Sequence, residues 1–203
     1  MDLRVVELRQ YQLKPGRTDD LIEVFDRELV ETQEACGMHV LGQYRDLDRP
    51  DRFVWVRRFP DMAARRAALT AFYSGPVWKE HAAAANATMI DVDDVLLLRP
   101  VRGFGPLGGR PAAAGGDSVV SVTIYLRDRP FDEEFFSSFE QAALPALACY
   151  TTEYAENDYP ALPVRSGEHA FVWFARSASP EWTPEGVTVE HRRLAPTPRS
   201  RLR

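Results

Sequence analysis

The chain reads as α+β: two ferredoxin-like (βαββαβ) modules in tandem, the second with a truncated second helix. Three observations predict this. Val5 to Tyr11 and Val119 to Tyr125 are apolar strand-like runs, each followed seven residues after its tyrosine by an acidic helix start, Thr18-Asp19-Asp20 or Asp132-Glu133-Glu134. The same offset aligns Phe25 with Phe139, and Phe53-Val54-Trp55-Val56 is echoed by Phe171-Val172-Trp173-Phe174. A period of roughly 115 residues is too long for a solenoid repeat and marks a duplicated domain.

Each element follows from its residues. Val5 to Leu13 alternates as a strand, and Pro15-Gly16 turns the chain. Thr18 is placed as an N-cap, with Asp19 and Asp20 where the helix dipole favours carboxylates. Leu21, Val24, Phe25 and Leu29 recur at helical spacing, and Gly37 stops the helix. Met38 to Arg45 and Phe53 to Arg58 form a hairpin around the polar loop Asp46 to Arg52. A long helix from about Asp61 to Ala85 breaks near Gly75-Pro76, because proline removes a helical hydrogen bond and collides with the preceding turn. Val95 to Arg99 closes the first module, giving the order β-α-β-β-α-β.

The division expected is a first module over residues 1–101, a Gly/Pro/Ala-rich linker over 102–117 that can bury little, and a second module over 118–203. In the second, Asp132 caps a helix whose apolar face is Phe135, Phe136, Phe139, Ala143 and Leu147. Tyr150 to Tyr154, Ala170 to Ala175 and Val187 to Leu194 are its remaining strands. Only Ser177 to Gly186, with Pro180 and Pro184, stands where the first copy has a long helix. That shortening should leave one face of the second sheet for the first module's helix, the linker or another subunit to cover, so self-association into a homo-oligomer is expected.

With 203 residues, 45% hydrophobic and 27% charged, the chain can bury one or two ordinary cores. A net charge of -5 offers no basic face, so nucleic acid is excluded as a partner, and no apolar run reaches the roughly 20 residues of a membrane span. No export leader is visible at Met1-Asp2-Leu3-Arg4, and Cys36 and Cys149 read as small apolar residues in a reducing compartment, so a cytoplasmic protein is expected. Lysine occurs only as Lys14 and Lys79 among abundant arginine, which suggests a GC-rich bacterial genome.

Several stretches carry a resemblance. Glu7-Leu8-Arg9-Gln10-Tyr11, Phe72-Tyr73-Ser74-Gly75-Pro76-Val77-Trp78 through His81, and Ala85-Asn86-Ala87-Thr88-Met89-Ile90-Asp91 resemble the NIPSNAP family. Thr152-Glu153-Tyr154-Ala155-Glu156-Asn157, Leu162-Pro163-Val164-Arg165 and Leu194-Ala195-Pro196-Thr197 resemble the second half of its two-module bacterial members. The resemblance implies the dimeric α/β-barrel superfamily, with both sheets supplied by one chain. It also implies a small-molecule ligand or substrate. Superfamily relatives include cofactor-free monooxygenases, isomerases and haem enzymes, and fold alone does not choose among them.

The densest candidate site is Phe72 to Asp91. A helix broken at Gly75-Pro76 can turn Tyr73, Trp78 and His81 toward a cavity, with Asn86 offering donor and acceptor nearby. His81 is the expected acid or base, with Tyr73 and Asn86 as catalytic neighbours; the plainer reading has the aromatics seating a kinked helix and Asn86 capping it. Glu7, Arg9 and Tyr11 share a strand face, as do Trp55 and Arg57. If that face is the barrel interior, Glu7 with Arg9 or Arg57 is a structural ion pair; the arginines could instead clamp a substrate carboxylate. Tyr44 beside His39 and Arg45 joins Trp55, Trp78, Arg9, Arg57 and Tyr11 as a substrate-binding candidate. In the second module Glu153, Asn157 and Arg165 surround an insertion, Asn157 to Pro163, which is either a lid or a loop packed on the first module.

No dinucleotide or nucleotide loop, zinc spacing or nucleophile elbow occurs. The expected reading is therefore a cofactor-free enzyme of oxygenase, isomerase or cyclase type, acting on a small aromatic metabolite of bacterial secondary metabolism. The alternatives are a noncatalytic binding or assembly protein, and a haem ligated by His39 or His81.

Overall fold

The computed structural model describes residues 3–112, 118–176 and 182–203. The first module runs β1 (Val5–Leu13), α1 (Thr18–Val24), a π-helical turn (Phe25–Leu29), α2 (Val30–Ala35), β2 (His39–Asp46), β3 (Arg52–Phe59), α3 (Met62–Ser74), α4 (Pro76–Asn86), β4 (Met89–Asp91) and β5 (Val95–Arg102). The second runs β6 (Val120–Arg127), α5 (Glu133–Gln141), β7 (Ala146–Thr152), β8 (His169–Arg176) and β9 (Thr188–Pro196). Among the described residues one sheet has the order β3-β2-β9-β6-β8-β7-β5-β1-β4, and a further β3–β1 pairing closes the strands other than β4 into a barrel. All pairings are antiparallel.

Closure happens within one chain. Each module keeps the ferredoxin-like pairing of its first strand with its third and fourth, β1 with β3 and β5, β6 with β8 and β9. Two seams join them, β2 to β9 and β5 to β7, related by a pseudo-twofold exchange. The registers match residue for residue: Glu7, Arg9 and Tyr11 oppose Arg57, Trp55 and Phe53, while Ser121, Thr123 and Tyr125 oppose Ala175, Trp173 and Phe171.

Strand alternation assigns the faces. The barrel interior is apolar, filled by side chains from both modules including Val6, Leu8, Val54, Leu96, Val122 and Val172. Tyr44 belongs to this interior core, not to a ligand site. The opposite face of the first sheet carries Glu7, Arg9, Tyr11, Trp55 and Arg57 under the helices, where Leu21, Phe25, Leu29 and Phe72 pack on it. The buried charges thus lie between sheet and helices. They do not line the barrel interior.

Local chemistry explains most boundaries. Asp61 caps α3 by accepting from the Ala64 amide at 2.7 Å, and Gly75, extended at ψ 161°, breaks the helix before Pro76. Thr18 is not the cap: it is the first helical residue, and its hydroxyl donates to the Pro50 carbonyl at 2.7 Å. Asp132 does cap α5, accepting from Phe135 N at 3.0 Å. That helix ends at Gln141, so Ala143, at φ 49°, and Leu147, in β7, are not part of its face.

The linker buries more than its glycines suggest. Phe104 packs against Tyr150 and Phe174 of the interior core, and Arg110 bonds Glu34 at 2.6 Å. Part of the shortened connection, residues 177–181, lies outside the described residues. Beyond it Trp182 packs on Tyr125, Phe135 and Phe139 over the second sheet. This face is covered by α5 and Trp182, which removes the argument for another subunit there.

Candidate functional site

Between the first sheet and its helices lies a cavity of about 80 Å³. Tyr11 and Trp55 form its floor, Phe25, Leu29 and Gln33 one side, Phe72, Tyr73, Trp78 and Asn86 another, and Met89 and Val92 an end. The break at Gly75-Pro76 makes this possible. It turns α4 against α3 so that Tyr73 and Trp78 meet edge to face, with centroids 5.0 Å apart.

The second module reaches over the same cavity. Leu162 lines it, and Tyr159 stacks on Tyr73 at 6.1 Å with planes 27° apart. Asn157 and Asp158 accept from Arg65 Nη1, each at 3.0 Å, and Arg165 pairs with Asp94 at 3.3 Å. The loop joining β7 and β8 is thus a cross-module cover. Its outer side makes a groove of about 560 Å³ that includes Glu153, Tyr154, Asn157, Arg165 and His169. Glu153 accepts from the Ala155 amide within that loop.

Beside the cavity floor sits a fully buried ionic cluster. Glu7 Oε2 accepts from Arg9 Nη1 at 2.9 Å and from Arg57 Nε at 2.7 Å, and Glu7 Oε1 accepts from Arg65 Nε at 2.6 Å. Burial alone pushes the Glu7 carboxyl up, and Arg57, Arg9 and Arg65 overcome it and hold the group well below the carboxylate range. Arg9 Nε donates to the Tyr11 hydroxyl and Arg57 Nη1 to Gln33 Oε1, at 2.9 and 3.1 Å. Their guanidinium carbons lie 5.7 and 4.8 Å from the Trp55 ring centroid. Arg9 and Arg57 therefore reach the cavity through Tyr11, Gln33 and Trp55.

The expected site residues separate into groups. Tyr73, Trp78, Asn86, Trp55 and Tyr11 come together on the cavity wall. His81 does not join them: its Nε2 stands 3.6 Å from Glu28 Oε2, toward the π-helical turn. Tyr44 is in the barrel core, and Glu153 and Arg165 belong to the covering loop. Arg65, Gln33 and Leu162 are missed by the sequence reading. An arginine on the first turns of α3, with no periodicity of its own, gives no signal that it meets a carboxylate on β1.

Burial holds the Tyr73 phenol above its ordinary range, with Arg57 and Arg9 pulling it back only in part. At neutral pH Tyr73 is a hydrogen-bond donor. Among the described residues no group of three or more His, Cys, Asp or Glu side chains is placed to hold a metal ion, and no helix is long and apolar enough to cross a membrane.

Comparison with known proteins agrees with this architecture. The NIPSNAP family model matches residues 6–103. A provisionally assigned monooxygenase from Lactobacillus acidophilus aligns over 99% of this chain and 98% of its own, at 14% identity and a TM-score of 0.58. Another from Fusobacterium nucleatum aligns over 98% and 95%, at 8% identity and a TM-score of 0.59. An uncharacterised NIPSNAP-like domain protein from Burkholderia xenovorans covers 51% of this chain and 90% of its own, at 21% identity and a TM-score of 0.46. No curated protein matches. The full-length likenesses show the fold, a dimeric α/β barrel made by one chain.

Proposed function

We propose that this protein, a member of the NIPSNAP family through its first module, binds a small aromatic molecule between the sheet and helices of that module and acts on it without a cofactor. The observation that carries the reading is the cavity wall: Trp55, Tyr73 and Trp78 around a small space, with the Tyr73 phenol and Asn86 amide as polar groups. A volume of about 80 Å³ suits one small ring or a compact bicycle such as indole, and not an extended polycycle. Tyr73 would hydrogen-bond a ligand oxygen as donor, and Asn86 would supply either role. Oxygenase, isomerase and cyclase chemistry share this need to orient a ring and polarise an oxygen.

A noncatalytic binding role is the second reading, and a specific observation favours it. Among the described residues neither an imidazole nor a carboxylate lines the cavity, so they supply its wall with no such general base. Indole serves as the probe for both. Saturable indole binding, read by calorimetry and lost in Trp78→Ala with the circular dichroism spectrum intact, supports the cavity as the ligand site. Binding that survives Trp78→Ala overturns it. Turnover of single-ring phenols or enolisable ketones under air and under nitrogen then separates enzyme from binding protein.

A further inference from the structure

We infer that the ligand of this cavity carries a carboxylate, held by Arg9 and Arg57, which lie behind the Tyr11 and Trp55 side chains of the cavity floor; the inference rests on the proposed cavity being the ligand site. Three guanidinium groups converge on the single carboxylate of Glu7, all four side chains being fully buried. Among the described residues the other carboxylate paired with the cluster is Asp158, partly exposed, and it serves Arg65 alone. Arg9 and Arg57 share one oxygen, Glu7 Oε2, so the pair is short of one negative charge. A buried, uncompensated charge is costly, and an anion that completes the cluster removes that cost.

Unpartnered donors remain in the cluster: Arg9 Nη2, Arg57 Nη2 and Arg65 Nη2 are buried and lack a hydrogen-bond partner. Arg9 and Arg57 flank Trp55, and their other nitrogens bond Tyr11 and Gln33, which line the cavity. A planar carboxylate is the anion whose two oxygens suit two guanidinium donors, while a ring on it would lie among Trp55, Tyr73 and Trp78.

The duplicated module argues against a purely structural role. At the positions matching Glu7, Arg9 and Arg57 it has Ser121, Thr123 and Ala175, in the same β1–β3 register, and β6 pairs β8 without any charge there. The ladder does not need the cluster. The first module retains it where the cavity is.

Benzoate and its neutral counterpart benzamide test the inference by calorimetry, and by competition with indole. The wild-type protein is expected to bind benzoate at least tenfold more tightly than benzamide, with benzoate displacing indole. Arg9→Gln and Arg57→Gln, where folded by circular dichroism, should bring the two affinities together. Equal affinities in the wild type, benzoate that fails to displace indole, or a preference that survives in both variants overturns the inference. The wild-type comparison decides the matter even if neither variant folds. Indole that fails to bind overturns the cavity reading itself; indole that binds without a benzoate preference overturns only the carboxylate.

Discussion

Glu7 stands directly opposite Arg57 across the β1–β3 ladder and accepts from its Nε at 2.7 Å. In the second module the same two positions are Ser121 and Ala175. One duplicated sheet has thus kept two chemistries on one backbone frame. The charged version lies under α2 and α3, where Gln33 and Arg65 extend it. The uncharged version lies under α5 and is packed with Phe135, Phe139 and Phe171.

Glu7→Gln should be strongly destabilising. It leaves Arg9, Arg57 and Arg65 buried without their shared counter-charge, and breaking a buried ion pair from one side costs about 3–5 kcal/mol. For a chain of this length that is a fall in Tm of roughly 6–20 °C. Calorimetric unfolding at neutral pH checks it; a change under 2 °C, on the order of 1 kcal/mol or less, would contradict the buried cluster.

The same group sets a pH dependence. Its folded pKa lies below its unfolded one, so its contribution is complete above the unfolded value of about 4.3 and is lost as pH falls through the folded pKa. The stability gap between wild type and Glu7→Gln should therefore be flat from about pH 8 to 5 and narrow only below about pH 4. Urea unfolding at stepped pH measures the gap. Narrowing near neutrality would point to a titrating group other than Glu7.

The sequence carried the fold because a duplicated strand, helix start and aromatic run survive as spelling: Tyr11 with Tyr125, Trp55 with Trp173. Alternation also placed Glu7, Arg9 and Tyr11 on one face. It could not say which face, since both are buried here, one by the barrel interior and one by helices. The candidate site was legible where it is local, at the Gly75-Pro76 break that brings Tyr73 to Trp78. It was illegible where contacts are long-range, as between Arg65 and Asn157, or where a helix face decides, as for His81. The three residues of β4 were too few for any periodicity to register.

The covering loop should control ligand exchange. Asp158→Ala with Tyr159→Ala removes one salt bridge to Arg65, worth about 0.2–1 kcal/mol, and the stack on Tyr73, worth about 0.5–1.5 kcal/mol. Indole dissociation in stopped flow should then accelerate by about tenfold, the kinetic worth of some 1.4 kcal/mol of ground-state contact. Unchanged dissociation would show that the loop is a fixed wall.

Gly42→Ala tests the packing of the barrel interior. A Cβ at Gly42 would collide with the hydroxyl and the ring carbons Cζ and Cε2 of Tyr44, and Tyr44 is fully buried with little room to yield. Overpacking of this kind costs about 1–3 kcal/mol. Thermal unfolding reads it, and Gly42→Ala combined with Tyr44→Leu, which removes the ring as well as the hydroxyl, should recover part of the loss. Failure of that recovery would place the clash elsewhere than at the Tyr44 side chain.

His81 and Tyr73 give the sharpest contrast. His81 meets Glu28 in a partly exposed pair outside the cavity wall, so His81→Gln should change stability by about 1 kcal/mol or less and leave indole affinity within twofold. Tyr73→Phe keeps the ring against Trp78 and Phe72 and removes only the hydroxyl. It should leave indole affinity nearly unchanged yet weaken a ligand that accepts from that hydroxyl, such as acetophenone, by about 5- to 10-fold, the worth of a hydrogen bond of roughly 1 kcal/mol. Asn86→Ala, on the same wall, should couple to Tyr73→Phe in a double-mutant cycle for acetophenone, whereas His81→Gln should add independently to either. Coupling between His81 and Tyr73 above about 0.5 kcal/mol would return the imidazole to the site.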